Sequence, residues 1–251
     1  MNKKLFLKII SVFLALVTWK IVSMAVNADF LLASPIDVVI RLGQLTAEKN
    51  FLKTALFSFL RITSGFLLSF VTGIFFAVLA GRFHIAEVLL WPYVITIKTV
   101  PIASFIILCL LWLNFNVLTV FITFLISFPV IYSNVLQGIK NADKNLLEVA
   151  SLYEVPFKRK LLYIFLPSIK PFVISACSVA IGMAWKAGVA AEVIGVIKGS
   201  IGGKLYDAKI YFQNADLLAW TVLIIILSVV SEKIVLMIIK KFFKSRLKLL
   251  T

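Results

Sequence analysis

The sequence predicts an all-α membrane protein of six transmembrane helices, and three observations carry that expectation. Of its 251 residues, 62% are hydrophobic, and the mean hydropathy of +1.07 lies well above that of soluble domains, which are roughly half apolar. Several stretches keep up the ~20 apolar residues needed to cross about 30 Å of hydrocarbon, and the alternating pattern of a membrane barrel is not found. Finally, the basic residues of this chain of net charge +15 are clustered. Lys3, Lys4 and Lys8 sit at the start of the first apolar stretch; Lys240, Lys241, Lys244, Arg246 and Lys248 follow the last; Lys140, Lys144, Lys158, Arg159, Lys160 and Lys170 fill a central polar segment. Such clustering marks the cytoplasmic face of a membrane and argues against the nucleic-acid partner that the charge alone would invite. Both termini then lie in the cytoplasm, which requires an even number of spans.

Each element follows in order. The spans are read at about 5–26, 52–79, 95–112, 117–139, 172–191 and 217–239, given the ~20-residue requirement. They form one membrane domain over 1–251, with no soluble domain, linker or internal repeat. A cleaved signal peptide ending at Val26, Asn27 and Ala28 competes for the first span, but the run is long for one and contains Lys20. Ser34 and Pro35 read as the N-cap and first residue of a short external helix. Gly65, Gly73 and Gly81 give the second span small surfaces that a neighbouring helix can approach. Residues 84–93 are amphipathic and suit the inner interface, with Trp91 and Tyr93 as anchors. Pro101 breaks the third span near its start, and Pro129 favours a kink in the fourth.

The central segment, 140–171, interrupts two of the longest apolar runs. Asn145 with Glu148 three residues on resembles a capping box, and Leu147, Ala150 and Tyr153 share one face at helical spacing. Pro156 suits the first position of a second short helix, which would turn Lys158, Arg159 and Lys160 to solvent and Leu161 and Phe165 to the membrane. Two short helices joined by a turn make a protruding hook.

Glu148, Val149 and Ala150, followed by Leu166 and Pro167, resemble the cytoplasmic Glu-Ala-Ala signature and Leu-Pro pair of ATP-binding-cassette importer permeases. That resemblance implies a type I importer permease fold, whose cytoplasmic loop carries the coupling helices that dock on ATPase subunits. The contact would comprise Glu148, Val149, Ala150, Tyr153, Glu154, Val155, Pro156, Phe157, Leu166 and Pro167. Glu154 stands where the family carries Gly, and a left-handed Glu costs on the order of 1 kcal/mol. The stretches FLLASPIDV, KTVPIASFIILCLLWLNFN, AWKAGVAAEVIG and GSIGGKLYDA are similar to the branch that moves nitrate, taurine, alkanesulfonates and thiamine precursors. The resemblance further implies a homodimer in the inner membrane and a solute-binding protein docking outside, with GSIGGKLYDA as an external Gly loop. It also implies ATP and Mg on the partner ATPases, with no cofactor on this chain. The cargo would be a small anion such as a sulfonate or nitrate, or a vitamin precursor, and no enzymatic step is expected here.

Charged residues within spans mark candidates for the substrate path, because a cation at mid-bilayer costs about 2.5 to 3.5 kcal/mol on insertion scales. Lys186 is either an anion-attracting group on that path or a snorkelling or structural lysine, for which Glu192 offers a partner; Arg61, Lys98 and the break at Pro101 pose the same choice. The single histidine, His84, lacks partners at metal-ligand spacing, so no metal site is expected. Cys109 and Cys177 fall in apolar runs and read as packing residues. Gly202–Lys204 lacks the Ser or Thr and the upstream Gly of a phosphate-binding loop. The rival class is an ion-coupled secondary carrier, which would need inverted repeats and mid-membrane broken helices and would leave the hook without a use.

Overall fold

The computed structural model describes residues 3–26 and 32–248, which are helical with no strand among them. The Asn27 and Ala28 of the cleavage-site reading lie outside the described residues. In order the helices are α1 (Lys3–Val26), α2 (Pro35–Ala47), α3 (Phe51–Arg82), α4 (His84–Thr99), α5 (Ile102–Leu110), α6 (Phe115–Lys140), α7 (Lys144–Leu152), α8 (Phe157–Lys160), α9 (Leu166–Ile194), α10 (Ile201–Ile210) and α11 (Asn214–Lys248), with a π-helical turn over Leu161–Phe165. They divide into two compact units.

One unit comprises Met1–Ser58 and Val196–Ile226. Its α2 starts as the sequence predicts. Ser34 accepts from the Asp37 N–H, and the Asp37 carboxylate accepts from the Ser34 N–H, with Pro35 at the first position. The Ser34 hydroxyl and the positive charge of Lys20 hold the Asp37 carboxyl below the usual carboxylate range. Arg41 donates to Asp216 at the start of α11 and to Glu48 at 3.1 Å, and the Phe51 and Trp220 rings lie 5.5 Å apart. The expected external Gly loop is instead the helix α10. Ser200 caps it by accepting from the Gly203 N–H at 2.9 Å, and a Cβ on Gly203 would meet the Ile197 carbonyl at 2.2 Å. These glycines serve close packing of a helix start, with Ile201 N–H donating to Ser58 Oγ at 2.9 Å.

The other unit comprises Phe59–Gly195 and Leu227–Thr251, and α6 is its axis. The three glycines of α3 fall eight residues apart and meet α6 at the same interval: Cβ atoms on Gly65, Gly73 and Gly81 would lie 2.8 to 2.9 Å from side-chain atoms of Thr123, Ile131 and Ile139. The two helices therefore run parallel at close range, as small-residue faces allow. α6 also packs antiparallel against α9, from Gly138 on Phe172 to Thr123 on Gly188. Because α3 and α6 run in the same direction, the intervening α4 and α5 must carry the chain back.

Among the described residues four helices are long and apolar enough to cross a membrane: Phe51–Arg82, Phe115–Lys140, Phe157–Ile194 and Asn214–Ser245. The expected third span departs from the sequence reading. α4 runs unbroken from His84 through Pro92, and the chain then turns by 102° at Val100 and Pro101 into α5. Pro101 cannot donate to a continuing helix and disfavours helical backbone in the residue before it, so the separate interfacial helix at 84–93 and the span at 95–112 give way to one bent pair. Four helices, and a fifth where this bent pair makes one span, stand against the six expected crossings. The expected first span falls in α1, whose described apolar stretch is the shorter Ile10–Ala25.

Candidate coupling and translocation site

The hook is shorter than the sequence suggests. α7 is capped by Asp143, whose carboxylate accepts from the N–H groups of Asn145 at 2.9 Å and Leu146 at 3.4 Å. Asn145 is thus a donor being satisfied and not the cap, because the acidic side chain two residues earlier reaches the exposed amides first. Ala150 is buried and Leu147 half-buried, but Tyr153 sits at the C-cap and swings away from their face. The helix ends in a Schellman turn: Glu154 N–H donates to Ser151 O at 3.1 Å and Val155 N–H to Ala150 O at 2.9 Å. Glu154 itself has φ +50°, the left-handed conformation for which the family position favours Gly. Replacing Glu154 with Gly is expected to raise stability by up to about 1 kcal/mol, seen as a higher unfolding midpoint in detergent.

Pro156 caps the next helix from outside, one residue before its expected place. From Phe157 the backbone does not break again: α8, the π turn and α9 form one 38-residue helix ending at Ile194. The expected fifth span, 172–191, is the distal part of it. The π turn lies just before Pro167 and accommodates the missing amide donor, so Pro167 and Pro171 are carried without a stop. Leu166 and Pro167 lie in the first turn of α9, and Ser168 Oγ donates to the Gly138 carbonyl of α6 at 3.3 Å. The tip of the hook is apolar and open, with Leu152 81%, Tyr153 80% and Phe157 63% exposed. Glu148 and Val149 are exposed beside it.

The intramembrane charges separate. Lys186 lies on an exposed face of α9 with Ser175, Val179 and Met183, whereas Glu192 is fully buried. The Lys186–Glu192 pair that the sequence offers as one alternative is not formed, because six residues along a helix place the two side chains on different faces. Glu192 lies within electrostatic reach of Arg61 instead. Arg61 donates to Asn116 Oδ1 at 2.7 Å and to the Phe115 carbonyl at 3.3 Å. Pro101 is exposed at the α4–α5 turn.

Known proteins place this arrangement. A family model described as "Binding-protein-dependent transport system inner membrane component" matches residues 69–249. The chain belongs to this family. It is 26% identical over 230 residues to the putative aliphatic sulfonates transport permease protein of Bacillus subtilis, covering 91% of this chain and 83% of that one. It is 29% identical over 208 residues to the nitrate import permease protein of Synechococcus elongatus, covering 78% and 73%. With the formylaminopyrimidine transport permease protein of Halalkalibacterium halodurans it shares 28% over 187 residues, covering 73% and 74%. The chain is the multi-pass membrane permease of an ATP-driven, binding-protein-dependent importer, a transport subunit and not an enzyme. Its class implies ATPase and binding-protein partners, and the secondary-carrier reading has no support among its relatives.

The permease also carries polar contacts that the sequence reading passed over. Lys98 donates to Ser133 at 2.8 Å, and Lys140 pairs with Glu87 between the end of α6 and the first turn of α4. Ser178 of α9 donates to Glu232 of α11, and Trp185 Nε1 donates to Ser231 at 3.3 Å. Glu232 was legible as a carboxylate inside an apolar run. Its partner was not, since the two are 54 residues apart.

Proposed function

We propose that the hook is the coupling element that docks on the ATPase subunits, with Glu148, Val149, Ala150, the turn from Tyr153 to Phe157, and Leu166 with Pro167 forming the contact. The observation that carries this reading is the open apolar tip at Leu152, Tyr153 and Phe157, held by a turn in which the N–H groups of Tyr153, Glu154 and Val155 all donate back to α7. Exposed apolar side chains on a rigid support are what a partner's pocket requires. The permease works as a homodimer in the cytoplasmic membrane with both termini inside. ATP and Mg reside on the partner ATPases, this chain binds no cofactor of its own, and a solute-binding protein delivers cargo from outside.

The cargo in this reading is a small anion, such as a sulfonate or nitrate, ahead of a vitamin precursor. Lys186 supports it as an ammonium on the open face of α9, whereas Glu192, Arg61 and Pro101, the other candidates for the path, lie away from that face. Replacing Lys186 with Met is expected to reduce ATP-driven anion uptake into proteoliposomes about tenfold, the loss of one charge-assisted contact, while the complex assembles normally. Uptake at the unmodified rate would remove Lys186 from the path.

A further inference from the structure

Between α4 and α6 lies an open cleft of about 570 Å³. Its two cations are not equivalent. Lys140, the last residue of α6, is neutralised by Glu87 across the cleft end nearest the hook. Lys98 is held only by the neutral hydroxyl of Ser133 at 2.8 Å, and no ion pair to it forms among the described residues. That single contact uses one of the three ammonium donors, so two donors and one uncompensated charge remain in the cleft. The rest of the wall is mixed: Trp91, Val94 and Ile95 line it on the α4 side, and Gln137 adds an amide from α6. A three-oxygen inorganic anion would satisfy Lys98 and leave most of this volume and all of the apolar wall unused.

We infer that this cleft is a binding station for a singly charged organic anion with an apolar tail, its head on Lys98 and its tail along Trp91 and Ile95. Net charge sets the valence, because a second negative charge would meet no free cation. Volume and wall set the tail, since pockets of a few hundred Å³ bind by burying apolar surface around a few fixed polar groups. The inference rests on the reading that the permease carries anions and narrows it from anions in general to amphipathic monoanions. The position of the cleft fits a station beside the hook, because Lys140 lies at the end of α6 from which the hook departs.

The test uses the permease with its ATPases in nanodiscs, with butanesulfonate, methanesulfonate and nitrate as probes in titration calorimetry, alongside ATP-driven uptake of the same anions. Lys98→Met is expected to weaken butanesulfonate binding about tenfold or more, the loss of a charge-assisted hydrogen bond, while Lys98→Arg keeps most of it. Trp91→Ala, at an exposed side chain, should weaken butanesulfonate more than methanesulfonate, a chain-length dependence that general destabilisation does not produce. Unchanged binding in Lys98→Met, or equal losses for both sulfonates in Trp91→Ala, would overturn the station. Uptake of nitrate without any butanesulfonate binding would also overturn it and leave the anion reading standing. If no anion is carried at all, the anion reading fails first and the station with it.

Discussion

A chain in which Leu152 and Tyr153 are both replaced by Asp is expected to insert and fold, yet to lose its ATPase partners and all ATP-driven uptake. Both side chains are about four-fifths exposed, so the folded permease loses almost nothing by the change. If they fill a partner's pocket, each contributes about 1.5 to 3 kcal/mol by burial. Two together give a weakening of about 100-fold or more, before the cost of burying two carboxylates is counted. Co-purification from mild detergent measures the first effect, and transport in proteoliposomes the second. An undiminished yield of ATPase with the double variant would show that the hook is not the contact.

The second large effect is expected inside the membrane. Glu192 is fully buried in a spanning helix, where a carboxylate persists only with compensating groups. Arg61 supplies charge from α3 and is itself steadied by Asn116 and the Phe115 carbonyl. Arg61→Met should therefore lower stability by about 2 to 4 kcal/mol, the range seen when one member of a buried ion pair is removed, reduced for the partial exposure of Arg61. Adding Glu192→Gln should recover most of that loss. The double-mutant cycle, read as unfolding midpoints in detergent, checks this, because strictly additive losses would mean that the two charges do not interact.

Much of the fold was legible because apolar length and basic clustering are properties of local sequence. The glycine interval of α3 announced a close neighbour, and α6 meets it at the same interval. Ser34 and Pro35 announced a helix start for the same reason, since a cap is decided within four residues. Where the sequence reading failed, competition between nearby signals decided the outcome. Asp143 displaced Asn145 as the cap; a π turn let Pro167 and Pro171 pass without ending a helix; Ser200 turned an apparent glycine loop into α10. The polar site was least legible. Lys186 and Glu192 are close in sequence and far apart around the helix, whereas Glu192 and Arg61, or Lys98 and Ser133, meet only through packing.

The unbroken helix from Phe157 to Ile194 has a mechanical consequence. At about 1.5 Å of rise per residue, Lys186 lies about 44 Å from the hook end along one rod. If α6 provides the fulcrum, a swing of about 10° at the hook end displaces the far end by several Å, the scale of motion that opens or closes a passage for a small solute. A single rod of this kind needs no chain of side-chain rearrangements to carry a stroke across the bilayer. Its weakest point is the π turn at Leu161–Phe165, where bending would dissipate the stroke before it entered the membrane.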